Sequence, residues 1–340
     1  MRYLQTTGRS AASVIRADPG PLPDGHVRVA VAYAGVCHTD LAAVAEGAGP
    51  FPRRLGHEVS GVIAETTVGN RPIGTRVAAY AEDGYASETV IPAHRTVPLH
   101  PGCSLLDGAL AEPVACVIGG LEMLSFREHA QVILVGAGFM GLLVLRYLAA
   151  IGHRVFAIEP RAAAQKLARS WGADTAVHPD EVPGGMRRSG PVVIEATGEE
   201  AGLHLASDLV AIDGTLGILG YHQSGGGRRV IDMQGWNFRA MHVVSLHNRS
   251  TRNALTWIDR AQRSAALGFI CPGQLVDSEV GLDELAGLLS GPPSHDAIKT
   301  VLRLNEPWPR WPAYSGGHDH PGRANEATFS NWADTLCMRR

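Results

Sequence analysis

No run of apolar residues in this sequence reaches the roughly 18–20 that a membrane-crossing helix needs, so a membrane partner is not expected. Cysteine is scarce. The five present (Cys37, Cys103, Cys116, Cys271 and Cys337) are odd in number and widely spaced, which argues against a disulfide framework and for a reducing, cytoplasmic setting. The opening residues, MRYLQTTGRSAASVIRADPG, lack the charged-then-apolar pattern of a secretory signal. Neither sign of charge dominates: the formal net charge is −3 and the arginines are scattered. Nucleic acid and anionic membrane are therefore not expected as partners. Internal repeats are absent as well.

What is present is a chain of 340 residues, long enough for two separate cores, with 40 glycines that imply tight turns and close helix–sheet contacts. The first third reads as β-rich: HVRVAVAYAGVC, VSGVIAETTVG and RVAAYAEDGYASETVIPA alternate or run apolar between turn residues. From about residue 115 the rhythm changes. AQVILVGAGFMGLLVLRYLAAIGHRVFAIEP reads as strand, glycine turn, helix, strand, and its near-continuous apolar strands suit a parallel sheet buried on both faces. PVVIEATG, GTLGILG and MHVVSLH read as further strands, TRNALTWIDRAQRSAALGFI as an amphipathic helix, and HDAIKTVLRL as a last strand. The pattern predicts a β-rich domain made of residues 1–114 and 270–305, a parallel-sheet domain of residues 115–269 inserted in it, and a tail, 306–340, with little structure of its own.

The glycine turn Gly136-Ala137-Gly138-Phe139-Met140-Gly141 fits G-x-G-x-x-G between a strand and a helix. There the first glycine permits a tight turn, the second lets backbone approach a pyrophosphate, and the third lets helix and strand pack closely. Glu159 closes the next strand, where a carboxylate bonds ribose hydroxyls and repels a 2′-phosphate. That favours NAD over NADP. Arg161, two residues on, is a guanidinium able to accept a phosphate.

Three short stretches carry metal-binding side chains: GVCHTD (35–40), GHE (56–58) and EPVAC (112–116). Adjacent residues on a strand point to opposite faces, so Cys37 and His38 are not expected to share one ion. Taken singly, a buried cysteine is an inert small hydrophobe and a histidine a satisfied polar residue. A zinc centre for catalysis needs about three protein ligands and an open position.

GVCHTD, GHEVSG, GTRV, the EP pair, GAGFMG and AIKTVL occur in the order found in the zinc-containing medium-chain dehydrogenases/reductases, and the resemblance spans about residues 1–305. GALAEP resembles most the sorbitol and related polyol (cyclitol) dehydrogenase branch. The resemblance implies an α/β architecture, with a GroES-like β-rich catalytic domain and a Rossmann doubly wound parallel-sheet domain. It implies Cys37 and His57 as zinc ligands, Glu58 as a further ligand or close neighbour of the ion, and Glu112 as the carboxylate ligand with Cys116 as its rival. Thr39 matches the hydroxyl that bonds the substrate oxygen, and Asp40 the carboxylate that orients His57. His38 and Lys299 match positions facing the cofactor pyrophosphate, with an ordinary surface role open for His38. Many relatives insert a lobe with four closely spaced cysteines after the GTRV strand; here GTRVAAY passes through AEDGYASE with no cysteine, so one catalytic zinc and no structural zinc are expected. Ala42 stands where many relatives end their proton relay in a histidine, which leaves the cofactor ribose and water, or His38, to finish it.

The activity implied is reversible, NAD-linked oxidation of a secondary alcohol of a small-molecule polyol, cyclitol or aminocyclitol to its ketone, in a homodimer or homotetramer. Two readings compete with it: a zinc-free NADPH-dependent enone or quinone reductase of the same superfamily, and a low-turnover nucleotide-binding structural protein.

Overall fold

The computed structural model describes residues 1–126, 130–247, 251–291 and 297–304; the expected tail lies outside them. The chain divides into two compact units. One comprises Met1–Glu112 and the chain from Ile258 onward, the other Pro113–Trp257.

The first unit opens with an antiparallel hairpin of β1 (Arg2–Gly8) and β2 (Ala11–Arg16). Then follow β3 (His26–Gly35), α1 (His38–Glu46), β4 (Glu58–Thr66), β5 (Arg76–Tyr80), β6 (Glu88–Pro92), β7 (Thr96–Pro98) and α2 (Leu105–Ala109). The helix α3 (Ala111–Leu121) leads into the second unit, which runs β8 (Gln131–Val135), α4 (Phe139–Ala150), β9 (Arg154–Ile158), α5 (Ala162–Trp171), β10 (Thr175–Val177), β11 (Gly190–Glu195), α6 (Glu200–Leu209), β12 (Val210–Ile218), α7 (Met233–Phe238) and β13 (His242–Ser245). After α8 (Thr251–Ala266) come β14 (Ser278–Val280), α9 (Leu282–Ser290) and β15 (Thr300–Arg303).

In the first unit β14, β15, β3, β4, β5 and β7 lie side by side, with β6 paired to β3 as well. Alternation in HVRVAVAYAG sends Val27, Val29 and Val31 inward, where they meet Ile63, Val77, Ile91, Leu285 and Leu302 in one core. The return of β15 to β3 (Val301 opposite Gly35) matters most for the chemistry, because it brings Lys299 and Thr300 beside Val36 and Cys37.

In the second unit the parallel order is β10-β9-β8-β11-β12-β13. The direction of strand succession reverses between β8 and β11, and the carboxyl ends of those strands are where such sheets bind nucleotides. Helix α4 is held down by Leu142, Leu143, Leu145 and Leu148, all fully buried. Each such side chain contributes about 1.5–3 kcal/mol of apolar burial.

Among the described residues no helix is long and apolar enough to cross a membrane. Cys37 and Cys103 are free thiols, whereas Cys271 is disulfide-bonded.

Candidate active site

The strand β3 stops at Gly35, and Cys37 is the residue that caps α1, with extended backbone (φ −86°, ψ 140°). This differs from the extended Cys-His pair expected above: His38, Thr39 and Asp40 form a first helical turn. The carbonyl of Cys37 accepts the Asp40 and Leu41 amides at 3.1 and 3.3 Å. The turn folds Thr39 back, and its Oγ1 donates to the Cys37 sulfur at 3.1 Å. His38 is exposed, and Asp40 is buried at 5% exposure.

His57 enters from the other side of the site. It sits just before β4, after Gly56 at φ +102°, a left-handed conformation that a side chain would strain. Its Nδ1 lies 3.6 Å from Asp40 Oδ2. The result is a group in which ligand atoms of Cys37, His57 and Glu58 all lie within 4.8 Å of one another. Glu112, the second residue of α3, is half-buried and outside that mutually close group, but its charge acts on His57. Cys116, its rival, is exposed.

The electrostatics point to a cation. Burial alone favours a neutral His57, but the hydrogen bond and charge of Cys37, then the charges of Glu112 and Asp40, outweigh it and push the imidazole pKa up to about 10. Burial is also the first cause of the raised pKa of Asp40, opposed by His57 and by a hydrogen bond from Tyr85. A thiolate, an imidazole and a carboxylate around one point are the donor set of zinc. One oxygen of the set, Glu58 Oε2, is buried outside hydrogen-bonding geometry although the Lys299 ammonium stands 2.7 Å away. The residues present fit the metal.

Lys299, expected at the cofactor pyrophosphate, is 5% exposed, with Nζ 2.8 Å from Glu58 Oε1 and 3.1 Å from the Val36 carbonyl. Neither that ion pair nor the hydrogen bond from the Tyr85 hydroxyl to Asp40 Oδ2, at 2.7 Å, is legible in the sequence.

In the second unit Gly136 turns at φ +96° directly after β8, and α4 starts at Phe139 with Met140 and Gly141 in its first turn. A side chain on Gly141 would collide with the Gly136 carbonyl, so the third glycine lets the helix approach. Glu159 is 3% exposed and accepts from the Ala137 amide at 2.9 Å, the Arg161 amide at 3.0 Å and the Arg161 guanidinium at 2.8 Å. Burial works to raise its pKa; the hydrogen bonds and charge of Arg161, with the Ala137 amide, outweigh it and hold the carboxyl below its usual range. The guanidinium also lies beside Gly138, 3.8 Å from where a Cβ would stand.

Two family models match this chain: the alcohol dehydrogenase GroES-like domain over residues 23–118 and the zinc-binding dehydrogenase over residues 140–260. The chain belongs to the zinc-containing medium-chain dehydrogenase/reductase superfamily. It is an oxidoreductase of the polyol branch, built as a GroES-like domain with a Rossmann domain. Among its relatives, D-altritol 5-dehydrogenase of Agrobacterium fabrum is 29% identical over 260 residues, 63% of this chain and 75% of that one. Galactitol 1-phosphate 5-dehydrogenase of Escherichia coli K12 is 26% identical over 251 residues, 62% of this chain and 72% of that one. The fold is also that of a Sinorhizobium meliloti 1021 dehydrogenase solved with NADP bound, with a TM-score of 0.79 at 22% identity over 89% of this chain and 99% of that one.

Membership of this family supports zinc and a nicotinamide nucleotide as cofactors.

Proposed function

We propose that this chain is a zinc-dependent oxidoreductase that interconverts a secondary alcohol of a polyol, cyclitol or aminocyclitol and its ketone by hydride transfer with NAD. The convergence of Cys37, His57 and Glu58 within 4.8 Å carries the reading, because thiolate, imidazole and carboxylate together are a zinc donor set and not a common core cluster. Cys37 and His57 hold the metal, and Glu58 and Glu112 share the carboxylate position. One zinc per chain is proposed. When bound, the metal supplies Lewis acidity that lowers the pKa of an alcohol hydroxyl, and the nicotinamide accepts the hydride.

The chain's own residues do the rest. Asp40, facing Nδ1 of His57, orients the imidazole and leaves Nε2 for the metal. Thr39, held 3.1 Å from the ligating sulfur, takes the substrate hydroxyl proton. Ala42, on the same helix, has no proton-active group, so the proton leaves through the cofactor ribose and water or through exposed His38. Substrate class follows from the relatives, whose names specify altritol and galactitol 1-phosphate.

NAD is proposed because Glu159, held ionised, stands where the ribose 2′-hydroxyl binds. NADP is the second reading: Arg161 reaches over Gly138, and one structural neighbour carries NADP. The two units, divided near residues 112 and 257, are proposed as the catalytic and nucleotide-binding domains, in a homodimer or homotetramer. Purified protein assayed on a panel of polyols and cyclitols with each cofactor tests all of this. Chelator-sensitive turnover with kcat/KM higher for NAD is expected. Turnover unaffected by chelator would contradict the zinc mechanism.

A further inference from the structure

The zinc ligands Cys37 and His57 are far apart in sequence and stand on different connections, so something must fix the gap between them. Tyr85 touches both connections. Its ring is fully buried, and its hydroxyl donates to Asp40 Oδ2 at 2.7 Å. The Cys37 amide donates to the same hydroxyl at 3.4 Å, and the Gly35 carbonyl lies 3.3 Å from it. A phenol has one proton, and the shortest contact assigns it to Asp40. On the other side, the backbone of the same residue grips the loop of His57: the Tyr85 amide donates to the Leu55 carbonyl at 3.0 Å, and the Gly84 amide to the Gly56 carbonyl at 2.8 Å. The fit is tight, since a Cβ on Gly56 would stand 2.6 Å from the Tyr85 nitrogen.

We propose that Tyr85 is a positioning residue for the metal: it spans from the His57 loop to the Cys37 loop, and its hydroxyl holds Asp40 in the place from which Asp40 aims the imidazole. The proposal rests on the zinc reading given above. Removal of the hydroxyl leaves ring and backbone in place, but deprives a buried carboxylate of its short hydrogen bond. What remains near Asp40 Oδ2 is His57 Nδ1 at 3.6 Å, too long to orient the ring firmly.

The test is zinc affinity by competition with a chromophoric chelator, on the full chain, for wild type, Tyr85→Phe, Asp40→Asn and the double variant, with urea midpoints of the metal-free forms alongside. Loss of a group supporting a metal ligand typically costs about 10–100-fold in metal affinity. Tyr85→Phe should show a loss in that range, as should Asp40→Asn, and the double variant should lose no more than the worse single one because both act through one hydrogen bond. A purely structural tyrosine would lower the metal-free midpoint and leave the zinc affinity within twofold of wild type. That outcome, or losses that multiply in the double variant, overturns the proposal. The failure of the zinc reading itself looks different: the wild-type chain then takes up no zinc, and this inference falls with it.

Discussion

The ammonium of Lys299 lies 2.8 and 2.7 Å from the two carboxylate oxygens of Glu58, and both side chains are almost wholly out of solvent. Two buried charges of this kind are each costly alone and tolerable together. The pair ties the segment entering the last described strand, β15, to the residue that follows His57, the proposed metal ligand. Lys299→Met leaves the Glu58 carboxylate buried without its cation, and a loss of about 3–5 kcal/mol is expected. Urea unfolding of the metal-free protein measures it. Adding Glu58→Gln should recover most of the loss, because the unpaired charge is then gone.

Gly35 is a glycine because Glu58 occupies the space beside it. A Cβ built there falls inside the Glu58 carboxylate and 3.0 Å from Leu110 Cδ2. Gly35→Ala should therefore displace the carboxylate and cost about 1–3 kcal/mol through overpacking. Weaker zinc binding should accompany the lower urea midpoint. An unchanged midpoint would mean that Glu58 moves freely and that its position is not fixed by β3.

Much of this was legible in the sequence, and the exceptions have a common cause. The turn Gly136–Gly141, the strand before it and the helix after it are local features, and they read directly from apolar runs and glycine spacing. The side chains of GVCHTD and GHE were also legible, but their meeting depended on a resemblance, because no spacing rule brings Cys37 to His57. The helix α1 is not among the elements read from the sequence, although Thr39 and Asp40 are turn-formers ahead of a short Ala/Leu/Val run. Lys299 on Glu58 and Tyr85 on Asp40 are partnerships between distant segments, made only when β15 and the Gly84–Tyr85 turn close onto β3 and β4. Nothing in AIKTVL or in DGYASE announces them.

The Glu159 carboxyl has a pH signature. Its folded pKa is depressed, so the stability it contributes is complete above the unfolded value of about 4.3 and is lost as pH falls through the lower folded value. Wild type and Glu159→Gln should therefore differ most in urea midpoint near neutrality and converge as pH falls below about 4. The same variant frees the Arg161 guanidinium from its carboxylate and should raise kcat/KM for NADP relative to NAD. An unchanged ratio would remove Glu159 from the choice of cofactor.

Thr39 can be separated from the proposed metal ligands. Thr39→Val keeps the shape and removes the hydroxyl that meets the Cys37 sulfur. Zinc content should stay at the wild-type level while kcat falls about 10²–10⁴-fold, the range for loss of a positioned proton-transfer group. Loss of zinc together with activity would instead make Thr39 a support for Cys37. His38→Gln, read in the same assay, tests whether that exposed imidazole ends the relay.

The most direct test of the whole account is metal content. Elemental analysis of the purified chain, after loosely bound ions are removed, should find one zinc per chain in wild type and none in Cys37→Ser or His57→Ala. Metal-free wild-type protein that still oxidises a polyol with NAD would contradict the assignment of Cys37, His57 and Glu58 as a zinc centre.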